Sequence, residues 1–282
     1  MRPLLVFALA AILPAAPAAA ETLAQPGAEQ TAFDGDFLIV AAGAVLLPSY
    51  EGADESSILP AAAIAGRVGG IGISPRAAGL ALDLVPDKPG AQVSLGLGPV
   101  LRLRMNRSGR IKDPVVARLG ELRSIIEGGV SASVTIKRVL NPHDQLSIGT
   151  DFRWDVSSRG GGGLIAPSVS YLTPLSRAQV VGVLASAEFA DQRFASYNYS
   201  VSPAGSAVSG LPAYAARGGL KAISFGAFTA RDLDANLLNG GLSIGVGAMY
   251  TRLKGSAAET PITSIRGKAS QWFVAAGLGY TF

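Results

Sequence analysis

From Ala91 to Arg104 the chain alternates. Val93, Leu95, Leu97, Leu101 and Leu103 fall on one face, and Ser94, Gly96, Gly98, Arg102 and Arg104 on the other. A period of two is the period of a β-strand. Asp144 to Asp155 repeats it, with Leu146, Ile148, Phe152 and Trp154 set against Ser147, Gly149, Asp151, Arg153 and Asp155. Leu242, Ile244 and Val246 alternate with Ser243, Gly245 and Gly247, and the last stretch sets Trp272, Val274, Ala276, Leu278, Tyr280 and Phe282 against Phe273, Ala275, Gly277, Gly279 and Thr281. Its aromatics lie near both ends, where interfacial rings settle at headgroup depth. A soluble sandwich or lipocalin-like barrel turns its apolar face inward and shows water a face rich in Lys, Glu, Asp and Thr. Here the second face is mostly Gly, Ala and Ser with scattered charges, which suits a curved lumen.

The pattern predicts an all-β fold, a transmembrane antiparallel up-and-down β-barrel of about 12 strands, within a range of about 10 to 14. The strands fall near 36–47, 58–66, 69–75, 78–84, 91–104, 125–138, 144–155, 163–173, 178–189, 219–231, 237–251 and 270–282. With the N-terminus in the periplasm, the short turns Pro86 to Gly90, Asn141 to His143, Pro174 to Arg177 and Asp232 to Asn236 lie on that side. The long connections Pro48 to Ser57, Met105 to Ser124, Asp191 to Gly218 and Lys254 to Ala269 face outward. Short-in, long-out parity agrees with an even strand count. Gly69 to Val85 is short for two full spans.

Ahead of the strands, Met1 and Arg2 precede an apolar run from Leu4 to Leu13, and an Ala/Pro stretch closes with Ala18, Ala19 and Ala20. These are the three parts of a signal peptide, and cleavage is expected after Ala20. Pro14 and Pro17 interrupt the run before it is long enough for a membrane helix. The expected organisation is a signal peptide over 1–20, a flexible periplasmic segment over 21–35 and one barrel domain over 36–282.

Composition tightens this reading. The chain has no Cys, 35 Gly and only 16% charged residues, with a mean hydropathy of +0.35. Its apolar content is spread thinly, as in a barrel whose strands need an apolar residue at every second position. The absence of Cys excludes thiol chemistry and Cys-based metal sites. His143, the one histidine, sits in the turn Asn141-Pro-His-Asp144 and reads as a solvated turn residue, and no metal spacing is present. The glycine run from Gly160 to Gly163 is followed by no Lys-Ser or Lys-Thr and reads as a surface turn. Glu51, Asp54 and Glu55 read as a solvated charge run, with divalent-ion bridging to lipopolysaccharide phosphates as the alternative. Tyr197 and Tyr199 form a polar-aromatic patch in a long loop, expected to fold over the barrel mouth or to meet glycans or a partner. Catalytic residues, cofactors and metal ligands are expected to be absent. A net charge of +4 is dispersed and does not point to nucleic acid.

The expected lumen charges are Arg102, Arg104, Glu127, Lys137, Asp151, Arg153, Asp155 and Glu188. A mixed-sign set facing across a narrow barrel pairs and closes it, where a one-signed ring would make a selective channel. The many inward Gly and Ala residues work the other way and leave room for water.

The stretch from Val201 to Tyr214, with Ser202, Pro203, Gly210 and Pro212, followed by Gly219-Leu-Lys221, resembles the long-loop signature of the MltA-interacting protein family (MipA/OmpV). Pro48, Tyr50 and Gly52, with Asp54, resemble that family's first loop, with Ala53 in place of its usual Ser, and Leu253 to Pro261 resembles its region before the last strand. The chain ends Gly-Tyr-Thr-Phe, and its terminal Phe282 resembles the signal read by the barrel assembly machinery. The resemblance implies a protein of the Gram-negative cell outer membrane, in contact with its lipid and lipopolysaccharide. It implies a non-enzymatic scaffold that docks peptidoglycan-remodelling enzymes, a lytic transglycosylase and a murein synthase. The alternative is a passive or stress-responsive porin for small solutes.

Overall fold

The computed structural model describes residues 7–8, 32–33, 35–88, 90–109 and 111–282. Twelve antiparallel strands form one closed sheet: β1 (Phe37–Pro48), β2 (Ser56–Val68), β3 (Ile71–Arg76), β4 (Gly79–Asp83), β5 (Val93–Arg104), β6 (Ile125–Lys137), β7 (Gln145–Asp155), β8 (Gly163–Ser176), β9 (Gln179–Ala190), β10 (Gly219–Asp232), β11 (Gly241–Leu253) and β12 (Ser270–Thr281). Each strand pairs with the next, and β12 closes on β1 from Val274 opposite Leu46 to Thr281 opposite Ile39. Phe7–Ala8 pairs in parallel with Ala61–Ala62 and lies outside the twelve. The expected cleavage site after Ala20 and most of the segment 21–35 lie outside the described residues. Ala32 donates its N–H to the Leu238 carbonyl at 2.6 Å, and Phe33 packs edge-on against Phe37.

The alternation sorts side chains as a barrel in lipid requires. Leu95, Ile148, Phe225, Ile244 and Leu278 are each at least 50% exposed on the outer face, so the apolar face points out, opposite to the arrangement of a soluble β fold. Small and polar residues face in, including Ser131, Gly149 and Ala275. Closure brings glycines face to face at the seam, where Gly43 pairs with Gly277. A Cβ on Gly277 would stand 2.5 Å from the Ala42 carbonyl oxygen.

Two elements depart from the sequence expectation, residues 237–239 and the end of β8, while the third and fourth strands are as short as expected. Strands β3 and β4 are six and five residues long, and β2 meets β3 over three residue pairs, from Gly66–Ile73 to Val68–Ile71. Pro60, Pro75 and Pro99 fall in the strands of this sector, as expected where the ladder is incomplete. Residues 237–239 form a 3-10 turn ahead of β11, and β8 runs on through Pro174 to Ser176. One barrel end carries short turns, with Gly69–Gly70 and Arg177–Ala178 among them, and is called the turn end. The opposite, loop end holds the long connections, with the two-residue Ala77–Ala78 turn as an exception to parity.

The loops are not irregular. Five short helices build a cap over the loop end: α1 (Pro114–Ala117), α2 (Gln192–Tyr199), α3 (Pro203–Ser209), α4 (Gly255–Glu259) and α5 (Pro261–Ser264). Asp191 caps α2 by accepting from Phe194 N at 2.7 Å. Ser202 caps α3 through Gly205 N at 3.0 Å, Pro203 sets its first turn, and Gly210 ends it in the left-handed conformation at φ 78°.

Gly277→Val places a branched side chain against the closing seam. It is expected to destabilise the barrel by about 1–3 kcal/mol, seen as a lower temperature at which the compact, fast-migrating band is lost on SDS gels.

Candidate functional site: a capped lumen

Barrel and cap meet at a charge cluster. Glu51, just past β1, turns into the lumen, where its carboxylate accepts from Lys221 Nζ on β10 at 2.6 Å and from the Tyr199 hydroxyl on α2 at 2.5 Å. Lys221 Nζ also reaches Glu188 on β9 at 2.5 Å. Glu188 accepts from Arg153 on β7 at 3.2 Å and faces Arg102 on β5 at 3.6 Å. Arg153 binds Glu127 on β6 at 3.0 Å, and Arg104 on β5 pairs with the same carboxylate. Above them Phe194 of α2 covers the cations, with the Arg104 guanidinium 4.1 Å from its ring centre. Three carboxylates and four cations thus close the lumen from five barrel strands and two loops.

The electrostatics follow from this placement. Burial alone would raise the Glu51 carboxyl, but Lys221 and Arg104 outweigh it and hold Glu51 below its ordinary value. Burial and then the Glu51 carboxylate push the Tyr199 phenol well above its usual range, which keeps it a proton donor.

Two apolar clusters hold the cap in place. Phe194, Tyr199, Ala216, Leu253 and Ala257 make one, and Tyr50, Ala53, Val116, Val201, Leu211 and Ile262 the other. Gln271, 2% exposed on β12, accepts from Gly52 N at 3.3 Å and donates to the Ala53 carbonyl at 3.0 Å. Thr260 donates to the Tyr199 carbonyl at 2.7 Å. Arg266 grips Asp113, the N-cap of α1, at 2.8 Å.

The residues of the two loop signatures therefore work in this cap. Tyr50 is buried, Gly52 has φ +93° beside Thr263, and Val201 and Tyr214 exchange two backbone hydrogen bonds at 2.9 Å each. Ser202, Pro203 and Gly210 bound α3, Pro48 ends β1, and Asp54 and Pro212 are exposed. Phe282 is exposed beside Tyr280, their ring centres 4.7 Å apart.

The structure brings Arg102, Arg104, Glu127, Arg153 and Glu188 together in the cluster. Asp151 stands lower in the lumen, bound by Arg76 through both oxygens at 2.8 and 3.2 Å. Lys137 pairs with Asp87 at the turn end, at 3.4 Å. Asp155 is corrected: it accepts from Ser157, Arg159 and Gly161 and folds the loop between β7 and β8. Gly160 to Gly162 belong to that loop, while Gly163 opens β8. Glu51 is also corrected, since it lies inside the lumen rather than in a solvated run with Asp54 and Glu55. Tyr199 is 2% exposed and is no surface patch, whereas the Tyr197 hydroxyl meets the Arg123 backbone. His143 is exposed in its turn, its N–H bonded to Asn141 at 2.9 Å. Glu51, Lys221 and Arg76 were absent from the expected lumen set because two sit at strand edges and one on a strand of doubtful span.

Beneath the cluster is a cavity of about 300 Å³, bounded by Arg76, Asp151 and Glu188 towards the cap and by Arg67, Asp87 and Lys137 towards the turn end. The hydroxyls of Ser133, Ser168, Ser170 and Ser186 face into it.

The family model described as "MltA-interacting protein MipA" matches residues 40–282. No curated protein matches the chain. Among solved structures, Pseudomonas aeruginosa OccK11 (OpdR) matches at 10% identity and a TM-score of 0.30, over 90% of this chain and 97% of that one. The outer membrane protein OprD from Pseudomonas aeruginosa matches at 11% identity and a TM-score of 0.30, over 90% and 95%.

Lys221→Met leaves two part-buried carboxylates short of a partner and is expected to cost about 1–3 kcal/mol, read as lost protease resistance in the Val201 to Tyr214 segment. Glu51's folded value lies below its unfolded value of about 4.3. Its stabilisation is therefore complete well above that pH and disappears as pH falls through the folded value. Amide exchange in α2 and α3 is expected to rise in acid, and to rise less steeply in Glu51→Gln.

Proposed function

We propose, from the premise that this chain belongs to the MltA-interacting protein MipA family, that it is a non-enzymatic scaffold of the Gram-negative outer membrane. Its turn end faces the periplasm and docks peptidoglycan-remodelling enzymes, a lytic transglycosylase and a murein synthase. The observation that carries this reading is the closed loop end. A barrel sealed by a paired charge cluster under an ordered cap is poorly built for traffic, and what it offers the periplasm is a rigid set of turns. The name of the matched family supports a transglycosylase partner. The outward apolar band fits lipid and lipopolysaccharide, and the exposed C-terminal Phe282 is available to the barrel assembly machinery.

Several turns present apolar side chains. Leu140 is 80% exposed at the tip between β6 and β7, and Leu233 is 57% exposed between β10 and β11. Capture of a purified lytic transglycosylase by the folded barrel is expected to fall in Leu140→Asp and Leu233→Asp, with heat-modifiable mobility intact. Unchanged capture would remove these turns from the docking surface, and no capture by the parent barrel would sink the scaffold reading.

One observation favours the porin alternative, the polar cavity beneath the cluster. If the cap seals the lumen, the purified barrel gives no steady conductance in planar bilayers at neutral pH. Stable single-channel steps across a range of voltages would make it a pore.

A further inference from the structure

The cavity has a chemistry of its own, distinct from the proposed docking role. Its cations are each paired with a carboxylate, and the lining carboxylate outside these pairs, Asp83, accepts from Val85 N at 3.0 Å and Leu97 N at 3.1 Å. Arg76 holds both oxygens of Asp151, Glu188 is shared by Arg153 and Lys221, and Asp87 takes Arg67 at 2.7 Å. Only some of its hydroxyls are partnered. Thr135 and Ser147 bond each other at 2.9 Å, and Ser131 meets Arg76 at 3.2 Å. The hydroxyls of Ser133, Ser168, Ser170 and Ser186 have no hydrogen-bond partner among the described residues, and all four residues line the cavity.

Register explains how they converge. Ser133 pairs across β6 and β7 with Gly149, Gly149 with Ser168 on β8, and Ser168 with Ser186 on β9. One residue pair nearer the turn end, Thr135, Ser147 and Ser170 form a second row. Adjacent strands are about 4.8 Å apart, so the two rows set hydroxyls from neighbouring strands side by side on one wall of the cavity. Each free hydroxyl both donates and accepts, as does each hydroxyl of a polyol.

We propose that this cavity is a binding site for a neutral polyhydroxylated small molecule of monosaccharide to disaccharide size, entering from the turn end. Neutrality follows because the lining cations Arg67, Arg76 and Lys137 are all paired with carboxylates, and the carboxylates are held by cations or, at Asp83, by backbone N–H groups. Recognition is by hydroxyls, since none of the described residues lining the cavity is aromatic.

The test uses the mature barrel folded in a zwitterionic detergent without a sugar headgroup. Glucose, sucrose and trehalose are titrated by calorimetry and by saturation-transfer NMR, with glucosamine and glucuronate as charged controls. At least one neutral sugar is expected to bind saturably, and more tightly than either charged control. A Ser168→Ala, Ser186→Ala pair, which removes hydroxyls without filling space, is expected to weaken binding by about tenfold, and Ser168→Leu to abolish it. Heat-modifiable mobility checks that each variant is folded. Saturable binding that the alanine pair leaves unchanged would overturn the site, as would preference for a charged control or no saturable binding of any neutral sugar. Transglycosylase capture is expected to be unaffected by these serine substitutions, which separates failure of this site from failure of the scaffold reading.

Discussion

A sheet surrounded by apolar solvent must bond to itself along every edge, and the rest of this structure depends on that constraint. Closure between β1 and β12 satisfies it at one seam, and the two strands lie close enough for glycine to face glycine. Once the sheet is shut, the two faces of each strand meet different media, and the alternation of side chains follows from that division. Apolar residues face outward because nothing inside needs them. Inside, the curvature admits Gly, Ala and Ser, together with those charges that find a counter-charge.

The charges are where the barrel acquires a direction. At the loop end they are concentrated, interlocked and covered by Phe194; nearer the turn end they are sparse, Asp87 being shared by Arg67 and Lys137 and Asp151 held by Arg76. Glu51 and Lys221 are far apart in the chain, yet a single contact between them ties the first loop to the tenth strand. Breaking such a contact costs more than the contact is worth, because the surviving partner is left buried. The cap is accordingly held by mutual dependence: Tyr199 needs Glu51, Glu51 needs Lys221, and Lys221 needs Glu188.

Much of the wall was legible in the sequence, because a period of two depends only on the residue and its neighbours. The strands from Val93 to Lys137 and from Gln145 to Ala190 fall within a few residues of expectation for this reason. The cap helices were not legible. They are four to eight residues long, too short to show a helical period, and Ser202, Pro203 and Gly210 were visible only as a loop signature. Lumen chemistry was legible where a charge sat at an inward position of a clear strand, as Arg104 and Glu127 do. It failed at Asp155, whose position beside a loop lets backbone N–H groups claim its oxygens. It failed again at Glu51, where alternation has already ended and only the folded loop shows which way the side chain turns.

The hairpin of β3 and β4 gives the wall one low sector. Strands of six and five residues rise about 17–20 Å at about 3.4 Å per residue, short of an apolar band about 25 Å tall. In a bilayer, the leaflet beside this hairpin has to thin or tilt its acyl chains to meet the wall, while the other strands impose no such demand. The barrel is therefore not round from the standpoint of its lipids. It carries a fixed bearing around its axis, set by the one short hairpin in its wall.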